Sequence, residues 1–76
     1  MRDTVIEVLS NHFGKDKSFD DGINLIDDLG ADEFDIVDIS ITLDEKLNIS
    51  LDEEAILEVK TVGDLIQLVE SNVQSN

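Results

Sequence analysis

Acid–base and nucleophilic catalysis need a group of tuned pKa or a nucleophile beside its base, and such side chains are few in this chain. The only histidine is His12, next to the apolar Phe13, with no second ligand at a spacing useful for a metal. It reads as a half-buried histidine at a helix end, where the helix dipole favours it. Cysteine is absent, which removes disulfides, thiolate metal sites and a thiol nucleophile together. Asp16, Ser18, Asp20, Gly22 and Asp27 imitate a calcium loop, but the register fails. Counted from Asp16, the position that must be glycine holds Asp21, and the position of the bidentate Glu holds the shorter Asp27. Diffuse cation binding by clustered acids is expected and a dedicated metal site is not. The chain is therefore read as a non-enzyme.

Charge says more. Against 5 Lys and Arg stand 19 Asp and Glu, a formal net charge of -14. A phosphate backbone is neutralised by basic patches, so nucleic acid and anionic membranes are excluded as partners by repulsion, and basic protein surfaces are favoured. Between Asp20 and Glu58 there are 14 acids and one base, Lys46. An inert surface normally mixes signs, so this imbalance points to docking on a basic protein surface rather than to a merely solvated face.

The elements that position these charges follow from apolar spacing. With 76 residues, residues 1–76 are expected to form one domain, since half of it could not bury enough surface to fold. Hydrophobic residues make up 41% and aromatics 4%, three Phe in all, so the core must be Val, Ile and Leu. Val5, Ile6, Val8, Leu9, His12 and Phe13 recur at helical spacing, with Thr4 and Glu7 set as a capping box and Gly14 as a left-handed stop. From Lys15 to Ala31 the pattern predicts a long loop pegged by Phe19, Ile23, Leu25, Ile26 and Leu29, with a helical turn near Asn24 to Asp27.

Asp32 offers an acceptor to the first turn of a second helix running to about Leu47. On its wheel Ile36, Ile39, Ser40, Leu43 and Leu47 share a core sector. Asp35, Asp38, Thr42 and Glu45 form an exposed stripe opposite, bordered by Phe34, Val37 and Ile41. Asp52 to Leu57 suffice for a brief third helix with acids at its favourable N-terminal end. Thr61 and Asp64 imitate a capping box before Val62, Leu65, Ile66, Val69 and Val73, which define the last helix, with fraying from Ser71. Met1 to Ser10 lack both a basic segment and a long apolar run, and no stretch approaches the ~20 apolar residues of a membrane span. A cytoplasmic monomer is expected.

The stretch IDDLGADEFDIVDISITLDEKLNI, together with LDEEA and KTVGDLI further on, resembles the acyl carrier protein family over nearly the whole chain. The resemblance implies an all-α fold, a small antiparallel four-helix bundle of three main helices plus a short third. It also implies that the second helix is the recognition surface for basic patches on synthase, transferase or ligase enzymes of fatty-acid or polyketide assembly. The family's chemistry hangs on a Ser in an Asp-Ser-Leu triplet, whose hydroxyl accepts 4'-phosphopantetheine. Here the triplet reads Asp32, Glu33, Phe34. A carboxylate cannot form the stable ester that a hydroxyl forms. Ser40 lies two turns on in the core sector, and Ser18 and Ser50 lie in loops without the motif. No prosthetic arm, and no other cofactor, is expected.

The leading expectation is a divergent carrier-like adaptor or regulator. Asp32, Glu33, Asp35, Asp38, Asp44 and Glu45 supply its charge and Phe34 its apolar anchor. Glu33 reads most plainly as an exposed acid favoured by the helix dipole; a sharper reading lets its charge stand in for the phosphodiester of the arm. Two alternatives differ in class: a carrier whose attachment site has been lost or mutated, and an acidic decoy for a nucleic-acid-binding protein.

Overall fold

Val5, Val8 and Leu9 repeat on one face of the first segment, Ile36, Ile39 and Leu43 on the second, and Val62, Leu65, Ile66 and Val69 on the last; all are buried. These stripes meet in one core, which Phe19, Leu25, Ala31, Ile56 and Val59 complete. The structure, a computed structural model, describes residues 2–73, with helices α1 (Arg2–Phe13), α2 (Glu33–Leu47), α3 (Glu53–Glu58) and α4 (Val62–Val73). Helix α1 packs on α2 and α4, and the short α3 bridges α2 and α4. The described residues hold no strand, only an isolated antiparallel bridge between Asn24 and Thr61. The four-helix, all-helical architecture expected from the sequence is the one observed.

Local chemistry explains most boundaries. Gly14 follows α1 with φ of 119°, and its N–H donates to Ser10 O at 2.9 Å, the conformation that a residue without Cβ adopts most easily. Helix α4 is opened by a reciprocal pair: Asp64 N–H donates to Thr61 Oγ1 at 3.1 Å, and Thr61 N–H donates to Asp64 Oδ2 at 3.2 Å. Asn48 closes α2 in the left-handed region, φ 56° and ψ 48°.

Two boundaries differ from the expectation. Helix α1 already begins at Arg2, so Thr4 lies inside it and Thr4–Glu7 is no capping box; Asp3 instead supplies a negative charge to the first turn. At the other end α4 continues through Ser71 to Val73, because the buried stripe ending at Val69 is extended by Val73, which packs on the core. The rest of the expected fraying tail, residues 74–76, lies outside the described residues.

The loop between α1 and α2 is built around Asn24. Its Oδ1 accepts the N–H groups of Ile26 at 2.9 Å and Asp27 at 2.8 Å, while its own N–H donates to Asp28 Oδ2 at 2.8 Å. This Asx-type turn is stitched to the entry of α4 through Leu25 N–H to Lys60 O at 2.8 Å and Gly63 N–H to Asp21 O at 3.0 Å. Phe19 and Leu25 are buried pegs as expected, with Ile23 and Leu29 packed at the core edge. Ile26 is not a peg: it is 52% exposed, because the turn carries it to the opposite side from Leu25.

Candidate functional site

The N-terminus of α2 is closed by two aspartates acting on each other. Asp35 N–H donates to Asp32 Oδ1 at 3.0 Å, and Asp32 N–H donates to Asp35 Oδ2 at 3.1 Å. This is a capping box, which satisfies two backbone donors that would otherwise lack partners. The remaining Asp35 oxygen lies 3.0 Å from His12 Nε2 at the end of α1. Asp35 is held below the usual carboxylate range, first by the Asp32 N–H and then by His12, against a smaller opposing effect of desolvation. The sequence placed Asp35 on an exposed stripe; its side chain is 35% exposed and turned towards α1. Thr42, on the same stripe, is likewise half-buried.

Between the two capping residues stand Glu33 and Phe34, both exposed, Phe34 at 75%. Phe34, Val37, Asp38, Ile41 and Glu45 then follow at steps of three and four along one outward face. Ile41 is 50% exposed, Val37 half-buried, and Asp38 and Glu45 exposed. The flank of apolar residues beside acids expected from the wheel is therefore present. On α3, Leu57 is also an exposed large apolar residue. Successive helical positions turn by about 100°, and with Ile56 buried its neighbour faces away.

Asp44 stands apart from this face. It is half-buried, and its Oδ1 accepts the Leu51 N–H at 3.0 Å. The hydroxyl on α2 nearest to Glu33 is that of Ser40, which is 8% exposed and donates to Val37 O at 2.7 Å. Ser18 and Ser50 are exposed in loops. Among the described residues no group of three or more His, Asp or Glu side chains is arranged to hold a metal ion, and no helix is long and apolar enough to cross a membrane.

The arrangement leaves the acids Glu33, Asp38 and Glu45 and the apolar Phe34 and Ile41 exposed on one helix. Residues 2–69 match the family model described as "Phosphopantetheine attachment site". Among curated proteins, the acyl carrier protein of Thermotoga maritima is 31% identical over 70 residues, covering 91% of this chain and 86% of the relative. That of Syntrophobacter fumaroxidans is 29% identical over 73 residues, covering 95% and 90%. The acyl carrier protein of Wolinella succinogenes is 40% identical over 47 residues, a match spanning 62% of each chain. A solved Mycobacterium tuberculosis structure, described as a candidate acyl carrier protein, superimposes with a TM-score of 0.86 at 21% identity, covering 92% of this chain and 95% of that one. At that identity the likeness is one of fold.

Proposed function

This chain belongs to the acyl carrier protein family, whose model is that of the phosphopantetheine attachment site, and from that premise we propose that it is a carrier-like docking protein that works without a prosthetic arm. The observation that carries the reading is the identity and setting of the residue after the α2 cap. Glu33 stands exposed where the family's attachment serine is expected, beside the exposed Phe34. A phosphodiester to the arm needs a hydroxyl at that position, and a carboxylate offers none. Ser40 is no substitute, since its oxygen is buried and bonded to Val37. The residues therefore do not fit an attached 4'-phosphopantetheine, and no thioester chemistry is assigned to the chain.

Docking is the role left to the surface. Glu33, Asp38 and Glu45 present the exposed charge and Phe34 the apolar contact. Asp32, Asp35 and Asp44 add charge while holding the ends of α2 in place. The partners are basic surfaces of enzymes that recognise carrier proteins, the chain acts as a cytoplasmic monomer forming one domain, and it catalyses nothing itself. A second reading, a carrier disabled at position 33, is favoured by its relatives' being named acyl carrier proteins.

The test is coexpression with a broad-specificity phosphopantetheinyl transferase, followed by intact-mass measurement of the native chain and Glu33→Ser. The native chain is expected to stay unmodified, and a gain of one phosphopantetheine on it would overturn the reading. Affinity capture at low salt, reversed at high salt, should return enzymes with basic docking surfaces. Loss of all capture by the native chain, with capture restored in Glu33→Ser, would favour the disabled carrier.

A further inference from the structure

Phe34, Val37 and Ile41 follow one another on α2 at steps of three and four, the spacing that repeats every seven residues in the seam between two paired helices. Phe34 is 75% exposed, Ile41 50%, and Val37 half-buried. Asp38 and Glu45, seven residues apart and both exposed, run along one edge of this stripe, since successive positions turn by about 100°. It is the edge nearer α1, where Asp35 meets His12 and Thr42 lines the cleft between the two helices. Glu33, exposed and one turn ahead of Val37, borders the other edge. The one cation of α2, Lys46, is turned to α1, 3.8 Å from Glu7.

We propose that the partner meets this stripe with a helix: an amphipathic segment whose apolar side chains lie on Phe34, Val37 and Ile41 and whose flanking Lys or Arg face Asp38, Glu45 and Glu33. The inference rests on the docking function proposed above and specifies the shape of the partner as well as its charge.

Two arguments select a basic helix. A segment laid over α2 gives up water around its backbone N–H and C=O groups, which must then be paired elsewhere. Helix α2 spends its own backbone groups internally, and the described residues hold no strand whose edge an extended segment could join, only the isolated Asn24–Thr61 bridge. A helix brings its backbone bonds with it. The second argument is charge. A second copy of this chain would set Asp38 and Glu45 against like carboxylates and bring one net charge of -14 against another, so the stripe repels its own kind and suits a cationic one. From Glu33 to Glu45 the stripe covers about 18 Å, a little over three turns, which sets the length of partner helix it can hold.

The test uses two synthetic peptides of about 20 residues, long enough to form a helix when bound, and identical in composition. In one, Leu occupies the seam positions of successive heptads and Lys or Arg the positions beside them; in the other the same residues are shuffled so that both kinds scatter around the helix. Each is titrated into the native chain at low ionic strength, with helix content followed by circular dichroism. The patterned peptide should gain helix on binding and bind at least about tenfold more tightly than the shuffled one, with amide NMR shifts centred on Phe34, Val37, Asp38, Ile41 and Glu45. Ile41→Ser, a change at an exposed position, should weaken the patterned peptide roughly fivefold, the scale of half an Ile side chain left in water, and leave the shuffled peptide unaffected. Equal affinities for the two peptides, or binding with no gain of helix, would overturn the helical partner and leave docking on basic surfaces standing. If neither peptide binds in dilute buffer, the docking function itself fails and the inference with it. Sedimentation of the native chain alone that shows dimers, lost in Ile41→Ser, would assign the stripe to a second copy instead.

Discussion

Asp44 reaches seven residues along the chain to Leu51, whose N–H donates to Asp44 Oδ1 at 3.0 Å. Its backbone carbonyl meanwhile accepts from Asn48 and from Ile49, the latter at 3.1 Å. One residue therefore organises the whole break between α2 and α3, with the left-handed Asn48 as the pivot. Although its charge places it among the acids proposed for docking, its geometry is that of a loop clamp. Asp44→Ala leaves a part-buried N–H without its partner and should cost about 1–2 kcal/mol, lowering the thermal midpoint by roughly 4–8 °C per kcal/mol at this size. Asp44→Asn keeps an acceptor and should lose less. Thermal unfolding followed by circular dichroism distinguishes the two, and an unchanged midpoint for Asp44→Ala would return the residue to a purely surface role.

Gly30 and Gly22 make a matched pair for separating backbone strain from packing. A Cβ at either would meet nothing within 4 Å, but Gly30 alone has a positive φ, 71°. Gly30→Ala should destabilise by about 1 kcal/mol through the left-handed backbone, and Gly30→Asn by less. Gly22→Ala should be neutral or slightly stabilising, because it removes freedom from the unfolded chain. Denaturant melts of the three variants check the order, and equal losses at both glycines would show that φ is not the cause.

The legible parts of this fold are those specified by neighbours in sequence. The stripe Val62, Leu65, Ile66 and Val69 and the Thr61–Asp64 cap were readable because helix periodicity and capping act within four residues, and all appear as expected. The same local logic misplaced the start of α1, since a capping pattern at Thr4 permits a helix start without forbidding an earlier one. His12 and Asp35 lie 23 residues apart, and Asn24 pairs with Thr61 across half the chain. Nothing in either residue's surroundings announces its partner, so their contacts depend on how α1, α2 and the loop pack. The exposed face around Phe34 was legible for the opposite reason: the wheel of α2 left it no core to join.

Asp35 and Asp21 should shape the acid limb of the stability curve. Both are held below the usual carboxylate range, Asp35 first by the Asp32 N–H and then by His12, Asp21 by the Arg2 side chain. A group depressed in this way adds stability that is complete above its unfolded pKa, about 3.9 for Asp, and is lost as pH falls through the folded value. The gap in thermal midpoint between the native chain and Asp35→Asn should therefore be open at neutral pH and close below about pH 4. Both carboxylates are solvent-accessible, so the gap should be modest and shrink in salt. A gap that persists undiminished at pH 2 would mean that Asp35 acts through shape rather than charge.

The net charge of -14 sets up repulsion across the whole surface, and screening should relieve it. Raising the ionic strength to about 0.15 M shortens the Debye length to roughly 8 Å, less than the breadth of the bundle, whose smallest extent is 19 Å. The thermal midpoint should rise with sodium chloride, and rise further with millimolar magnesium, without saturation at a single stoichiometric ion. Melting curves across a salt series test this. A midpoint indifferent to both would show that the acids are spaced widely enough not to oppose folding.

Phe34 separates docking from folding more cleanly than any acid on α2. At 75% exposed it touches little of the core, so Phe34→Ala should change stability by no more than about 0.5 kcal/mol. Yet an exposed aromatic on a helix whose outward acids are Glu33, Asp38 and Glu45 has the composition of an interface anchor, whose truncation costs about 2 kcal/mol or more. A partner recovered by low-salt capture should bind Phe34→Ala at least tenfold more weakly, mainly through faster dissociation, while the melting curve stays in place. Charge-neutralising changes at Asp38 and Glu45 should instead slow association and flatten the salt dependence. If Phe34→Ala bound as tightly as the native chain, the apolar half of the proposed recognition would be wrong and charge alone would remain.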